Sequence, residues 1–182
     1  MKKLVLLGDS IRMSYGARVA ELLEGEYAVW QPEDNCRFAS YTQRMLFDYR
    51  EQIKDADVIH WNNGHWDVCD LFGDGSFTDI HVYVENMKRI AKYLLSITGK
   101  VIFATTTPVQ KENPHETNAA ISAFNAAVVP QLQAMGVQIN DLYALVAQDL
   151  DTYICEDNLH LSPEGVEVSA QQVAKAVRAA NP

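Results

Sequence analysis

The sequence predicts an α/β protein with three layers, in which a five-stranded parallel sheet of flavodoxin-like type lies between two layers of helices. Short, continuous apolar runs, typical of strands buried on both faces, alternate with longer segments of helical periodicity. The 182 residues are 48% hydrophobic and 21% charged, which is enough apolar material for one buried core. We therefore expect a single domain over residues 1–182, built from successive β-α units.

Five apolar runs fit the strands, and helical periodicity separates them. The strand candidates are residues 4–7, 27–30, 58–61, 101–104 and 136–139. The helix candidates are residues 11–25, 40–54, 79–98, 116–134 and a tail that begins at Pro163. Gly99 is placed to end the third helix, Pro130 to kink or end the fourth, and Ser162 to cap the last one. The loops at 62–78 and 107–118 are the longest, so we expect them to shape a pocket at the carboxyl edge of the sheet.

Charge and cysteine content exclude several classes of partner. The formal net charge of −9 repels nucleic-acid phosphates and anionic membranes, so neither is an expected partner. Cys36, Cys69 and Cys155 form no CxxC pair, and the histidines lack ligand spacing, so no metal site and no cofactor are expected. The apolar run at residues 4–7 is too short for a signal peptide, and no segment approaches a transmembrane helix. These features predict a cytoplasmic protein, and the oligomeric state is not readable from them.

The first chemical motif is Gly8-Asp9-Ser10-Ile11, directly after the first strand. A serine at this junction lies at the carboxyl end of a strand and at the N-terminus of a helix. Its hydroxyl can face a cleft while its backbone N–H points at a developing oxyanion. The same tetrapeptide also suits an ordinary helix cap, because Asp and Ser are favoured in that role.

The second motif is Asp157-Asn158-Leu159-His160, directly before the last helix. A serine hydroxyl becomes a good nucleophile only when a base removes its proton, and His160 could supply that base. Asp157 is the nearest carboxylate that could fix the imidazole tautomer and stabilise the imidazolium. An Asp-x-x-His sequence alone is frequent by chance, and a solvated acidic loop would show it too.

Taken together at opposite ends of the α/β pattern, the two motifs resemble the SGNH or GDSL hydrolase family. Further matching segments are Leu161-Ser162-Pro163-Glu164-Gly165, Thr105-Thr106-Thr107-Pro108, Asn125 and Asp141-Leu142-Tyr143. The resemblance spans nearly the whole chain. It implies a nucleophile at Ser10, a base at His160 and an orienting acid at Asp157.

The oxyanion region departs from the family pattern. The glycine of the second family block corresponds to Arg37, whose backbone N–H could still donate while its side chain either narrows the pocket or is only a surface charge. The asparagine of the third block corresponds to Trp66, and Asn62 and Asn63 lie just before it. We expect the oxyanion hole to be formed by the N–H groups of Ser10 and Arg37 with the amide of Asn63. The Asn62 amide and the Trp66 indole N–H are the alternatives for the third donor. Asparagines here could also serve only to shape a turn.

Several side chains near these loops are candidate substrate contacts. Asp9, His65 and Trp66 are assigned to substrate binding, although Asp9 suits ordering of the nucleophile loop equally well. Trp61 and Phe72 could also line an acyl or sugar pocket, but aromatic residues at a strand end are commonly part of the core. His115 lies in a candidate pocket loop.

The predicted function is hydrolysis of short-chain esters, such as acetyl esters, by a serine esterase, with carbohydrate esters among the candidate substrates. Three alternatives use the same fold: a thioesterase or lysophospholipase, an acyltransferase, and a non-catalytic binding module with a lost oxyanion hole. A flavin- or nucleotide-binding protein is disfavoured because the first loop has neither a P-loop lysine nor a GxGxxG run.

Overall fold

The strands form a single parallel sheet in a computed structural model that describes residues 1–181. The strands are β1 (Lys2–Leu7), β2 (Tyr27–Trp30), β3 (Val58–Trp61), β4 (Val101–Ala104) and β5 (Gln138–Asn140). They pair in the order β2-β1-β3-β4-β5, which is the flavodoxin-like order. The chain reverses its direction of travel across the sheet after β2, so a crevice is expected at the carboxyl ends of β1 and β3.

Helices cover both faces of this sheet. They are α1 (Ser10–Leu22), α2 (Ala39–Asp48), α3 (Arg50–Ile53), α4 (His65–Val68), α5 (Ile80–Leu95), α6 (Asn118–Ala134), α7 (Leu142–Val146), α8 (Leu150–Tyr153) and α9 (Pro163–Ala180). Helices α1 and α9 pack together on one face, and α2, α5 and α6 cover the other. The predicted α/β/α sandwich is confirmed. Within residues 1–181, no helix combines the length and the apolar character needed to cross a membrane.

The element boundaries differ from the sequence predictions where local turn chemistry decides them. The first helix ends at Leu22, ahead of a turn in which Gly25 has a φ of +79°. The helix predicted over 40–54 is interrupted at Tyr49, and α6 continues past Pro130 to Ala134. The short helices α7 and α8, which are capped by Asp141 and Asp149, were not predicted, because 5 and 4 residues are too few to show helical periodicity.

The start of α9 is fixed tightly against the end of α8. The Ser162 hydroxyl accepts the N–H of Gly165 at 3.0 Å, which confirms Ser162 as the N-cap. The Ser162 hydroxyl also donates to the Thr152 carbonyl at 2.6 Å, and the Ser162 N–H donates to the Tyr153 carbonyl at 3.0 Å. A methyl group at Gly165 would overlap with that Tyr153 carbonyl oxygen. The loop between the two helices, which carries Asp157 and His160, therefore has closely spaced ends.

A buried carboxylate from α4 caps a neighbouring helix. The N-cap residue of α2, Phe38, offers no side-chain hydrogen bond, and the N–H of Ala39 donates instead to Asp67 Oδ2 at 2.9 Å. Asp67 is fully buried, and its Oδ1 has no hydrogen-bond partner. Burial raises the pKa of Asp67 to about 6, because desolvation disfavours the charged form.

Substitution of Gly165 by Ala is expected to lower the free energy of unfolding by about 1 to 3 kcal/mol, because the added methyl group has to displace backbone. Gly99→Ala is the matched control, since a Cβ atom at Gly99 would meet no atom within 4 Å. Urea denaturation of both variants measures the difference. Equal stability of Gly165→Ala and Gly99→Ala would show that the close contact between Gly165 and the Tyr153 carbonyl does not require a glycine.

Asp67 is expected to make the protein less stable as the pH rises. The pKa of Asp67 is higher in the folded protein, at about 6, than in the unfolded chain. The contribution of its protonated form to the free energy of unfolding is therefore fully present below the unfolded pKa and is lost as the pH rises through the folded pKa. Between about pH 4 and pH 7, the free energy of unfolding of the wild type should fall by about 2 to 3 kcal/mol relative to Asp67→Asn. The exposed Asp74→Asn is the control. Parallel pH–stability curves for wild type and Asp67→Asn would contradict this assignment.

Candidate active site

Ser10 is the first residue of α1 and follows β1 after only Gly8 and Asp9. Asp9 Oδ1 accepts the Ile11 N–H at 3.0 Å and the Asn62 amide at 2.7 Å. The Asp9 side chain is thus the helix cap and joins the β1 end to the β3 end. Because Asp9 is fully buried and does not line the groove described below, its assignment to substrate binding is wrong.

Three side chains from the two sequence motifs form a continuous chain of hydrogen bonds. His160 Nε2 lies 2.8 Å from Ser10 Oγ, and His160 Nδ1 lies 2.6 Å from Asp157 Oδ2. A carboxylate beside Nδ1 places the imidazole proton on that nitrogen, so Nε2 is the acceptor for the Ser10 hydroxyl. The arrangement can remove a proton from Ser10 and hold the resulting imidazolium next to a negative charge.

The loop around Asp157 is built to present His160. Asp157 Oδ1 accepts the backbone N–H groups of Leu159 at 3.0 Å and His160 at 2.9 Å, while Oδ2 binds the imidazole. Partial burial acts to raise the pKa of Asp157, but the hydrogen bonds from His160 outweigh it and lower this pKa below the ordinary value. Asn158 adopts a φ of +67°, which asparagine tolerates well, and its carbonyl accepts the Gln110 N–H at 3.1 Å.

A buried arginine ties the nucleophile loop to the loop after β2. Arg12 is only 2% exposed, and its guanidinium donates to the carbonyls of Gly8 at 3.2 Å, Pro32 at 3.0 Å and Asp34 at 2.8 Å. A buried charge is tolerated when such hydrogen bonds replace water. Arg12 therefore fixes the second loop beside Ser10.

Arg37 occupies a backbone position that favours glycine. Its φ is +50°, in the left-handed region, and its N–H donates to Asn35 Oδ1 at 2.7 Å. The guanidinium lies 4.9 Å from the centre of the Tyr41 ring and 3.9 Å from the Asp34 carboxylate. The guanidinium also lies 6.0 Å from the centre of the ring of Trp66, which lines the groove, although Arg37 itself does not. Arg37 is thus a partly exposed charge beside the groove, and its two predicted roles stay predictions.

The Asn63 amide is not available to an oxyanion in this structure. Asn63 is fully buried, and its amide donates to the Arg37 carbonyl at 2.8 Å and to Thr42 Oγ1 at 2.9 Å. The buried Asn62 amide donates one of its two protons to Asp9 Oδ1 at 2.7 Å. The expectation that the Asn63 amide binds the oxyanion is therefore wrong, because both its protons are already used. The Ser10 N–H keeps no acceptor within α1, as is usual for the first N–H of a helix.

Ser10, Asp157 and His160 open into a groove of about 530 Å³, a size that suits a small ligand. Its apolar lining comes from Trp66, Leu71, Pro114 and Leu159. Trp66 is 40% exposed, so the structure places this predicted contact in the groove. Trp61 is instead fully buried against Phe103, and Phe72 is 81% exposed and lies outside the lining.

A buried pair of ionisable side chains also lines the groove. His65 Nδ1 lies 2.6 Å from Glu116 Oε2, and His65 Nε2 lies 2.9 Å from Thr107 Oγ1. Burial alone would lower the pKa of His65, but the Glu116 carboxylate outweighs it and raises this pKa above the ordinary value. Both ring nitrogens are engaged, so His65 reaches the groove without a free polar atom. Sequence reasoning missed Glu116, although the loop that carries it was expected to shape the pocket.

Sequence comparison finds ester hydrolases among the curated relatives of the chain. The chain is 27% identical over 207 aligned positions to a GDSL esterase/lipase, CPRD49, from Arabidopsis thaliana, covering 98% of this chain and 79% of that protein. No protein-family model matches the chain.

Solved structures share the fold. A lipase/acylhydrolase from Enterococcus faecalis superimposes with a TM-score of 0.79 at 20% identity, covering 98% of this chain and 96% of that one. The acetylxylan esterase Axe2 from Geobacillus stearothermophilus gives a TM-score of 0.75 at 16% identity, covering 97% of this chain and 94% of that one. In its two sequence motifs the chain is similar to GDSL esterases and lipases, and in its fold it is similar to solved acylhydrolases.

Proposed function

We propose that the protein is a serine esterase in which Ser10 is the nucleophile, His160 the general base and Asp157 the residue that orients His160. The observation that carries this proposal is the unbroken hydrogen-bond chain from Asp157 through His160 to Ser10, which ends in an open groove. A hydroxyl paired with a base, and a base paired with an orienting acid, is the arrangement that activates a serine.

The side chains suffice for a complete acyl-transfer cycle. Ser10 Oγ attacks the ester carbonyl as its proton moves to His160 Nε2, and the imidazolium is stabilised by Asp157. His160 then returns the proton to the leaving alcohol, which leaves the acyl group on Ser10. A water molecule gives its proton to His160, attacks the acyl carbonyl and releases the acid, and the hydroxyl of Ser10 is restored.

Backbone N–H groups are the proposed oxyanion donors. The Ser10 N–H lies at the start of α1, where the helix dipole favours negative charge. The Arg37 N–H is held by Asn35 Oδ1 in the free protein, and Asn35 itself lines the groove. Binding of the oxyanion would displace this single side-chain contact. Asn63 supports the site indirectly, because its amide orients the Arg37 carbonyl.

We propose short acyl groups, such as acetyl, as the substrate, with carbohydrate esters among the candidates. The half-exposed Trp66 suits the face of a sugar ring, and one structural neighbour is an acetylxylan esterase by name. The apolar lining would also accept a thioester or lysophospholipid chain. A non-catalytic binding module is the remaining alternative, and the engagement of the Arg37 N–H and the Asn63 amide favours it.

A cytoplasmic location is also proposed. It is supported by three cysteines that are all free in the described chain, as a reducing compartment keeps them. Burial raises the pKa of the Cys36 thiol, so this residue near the site is a poor nucleophile.

The replacement Ser10→Ala is expected to reduce hydrolysis of p-nitrophenyl acetate by at least about 10³-fold without changing the thermal midpoint, because it removes only the nucleophile. Ser14→Ala, one turn further along α1, is the matched control and should keep its activity. Comparison with p-nitrophenyl octanoate tests the acyl group: preference for octanoate would favour the lipid or thioester alternative. Turnover that survives in Ser10→Ala would contradict the mechanism, and its absence in the wild type on both esters would favour the binding module.

A further inference from the structure

The groove contains a carboxylate that the proposed mechanism does not use. Glu116 lines the groove together with Ser10 and His160, yet its side chain is only 5% exposed. Buried carboxylates are rare unless they are paired, and a paired one beside a reactive serine needs an explanation. The pairing is supplied by His65, whose own side chain is 4% exposed.

The surroundings hold Glu116 in one orientation. Its Oε2 is bound by His65 Nδ1 at 2.6 Å, and its backbone N–H donates to Asn113 Oδ1 at 2.8 Å. The same loop is closed by Asn118, whose side chain accepts the Val109 N–H at 2.9 Å and donates to the Val109 carbonyl at 2.8 Å. A carboxylate fixed in this way loses little conformational entropy when it binds a ligand.

The second carboxylate oxygen of Glu116, Oε1, is free to bind a ligand. Oε1 accepts no hydrogen bond from residues 1–181, and it is not among the polar atoms that the protein encloses without a partner. It therefore meets the open groove. A ligand that covers this oxygen without donating a hydrogen bond would leave it desolvated, at a cost that a donor group would avoid.

We propose that Glu116 is a specificity-determining residue, whose Oε1 accepts a hydrogen bond from a hydroxyl group that the ester substrate carries near its scissile bond. This inference rests on the proposed esterase function and adds that the site selects esters with a hydroxyl group near the scissile bond. His65 acts as a positioning residue, because it binds the other oxygen and neutralises part of the charge. The carboxylate also disfavours esters that carry a phosphate or a carboxylate close to the reacting carbonyl.

The test compares glycerol monoacetate with pentyl acetate, which is similar in size but has no hydroxyl group. The ratio of kcat/KM for the two esters is measured in wild type, Glu116→Gln and Glu112→Gln. In Glu116→Gln, the amide oxygen is expected to bind His65, so the substrate hydroxyl meets a neutral N–H donor in place of a charged acceptor. The ratio should fall by about fivefold or more in this variant, because a hydrogen bond to a charged group is replaced by a weaker neutral one.

Glu112 is the matched control, because it lies in the same loop, is exposed and does not line the groove. Its substitution should leave the ratio within about twofold of the wild type. The ratio is independent of the fraction of folded enzyme, so partial unfolding of Glu116→Gln does not obscure the result. A ratio that stays within twofold in Glu116→Gln overturns the inference while the esterase function stands. No Ser10-dependent turnover of either ester or of p-nitrophenyl acetate would overturn the proposed function, and the inference with it.

Discussion

The hydrogen bond between Ser10 and His160 joins residues separated by 150 positions, and the rest of the site depends on it. The contact forms because the helix that begins at Ser10 packs against the last helix on one face of the sheet. An ion pair between Arg18 Nε and Glu167 Oε2, at 2.7 Å, links the same two helices. The charges of this ion pair are partly exposed and contribute little to stability. The apolar core beneath the two helices therefore holds them in alignment.

Around this contact, the site is held by buried polar groups. Asp9 caps the nucleophile helix, Arg12 fixes the neighbouring loop, and Asn63 orients the Arg37 carbonyl. Two of their polar atoms, Asp9 Oδ2 and Arg12 Nε, are enclosed without a partner. Unpaired buried polar atoms cost stability, and their presence beside Ser10 is typical of a site shaped for function. In the proposed mechanism, substrate groups contact Ser10, His160 and the groove lining, whereas Asp9, Arg12 and Asn63 support the site without lining the groove.

Much of the fold and the positions of the triad candidates could be predicted from the sequence. The alternation of apolar runs and helical periodicity gave the strand count and the layers, and the two motifs lie where the ends of a parallel sheet converge. The hydrogen bonding of the oxyanion region could not be predicted, because the partners come from separate segments of the chain. Thr42, for example, accepts a hydrogen bond from the Asn63 amide. Glu116 was missed for the same reason: only the folded chain brings it to His65, and neither residue shows a motif by itself.

The most direct test of the account is covalent trapping of the nucleophile with a fluorophosphonate, followed by intact-protein mass spectrometry and peptide mapping. The reagent needs a hydroxyl activated by a base and leaves a stable adduct on it. The account predicts one adduct per chain, located on Ser10, and slower labelling of His160→Gln because the base is lost. An adduct on another residue, or equal labelling of wild type and Ser10→Ala, would contradict the assignment of Ser10 as an activated nucleophile.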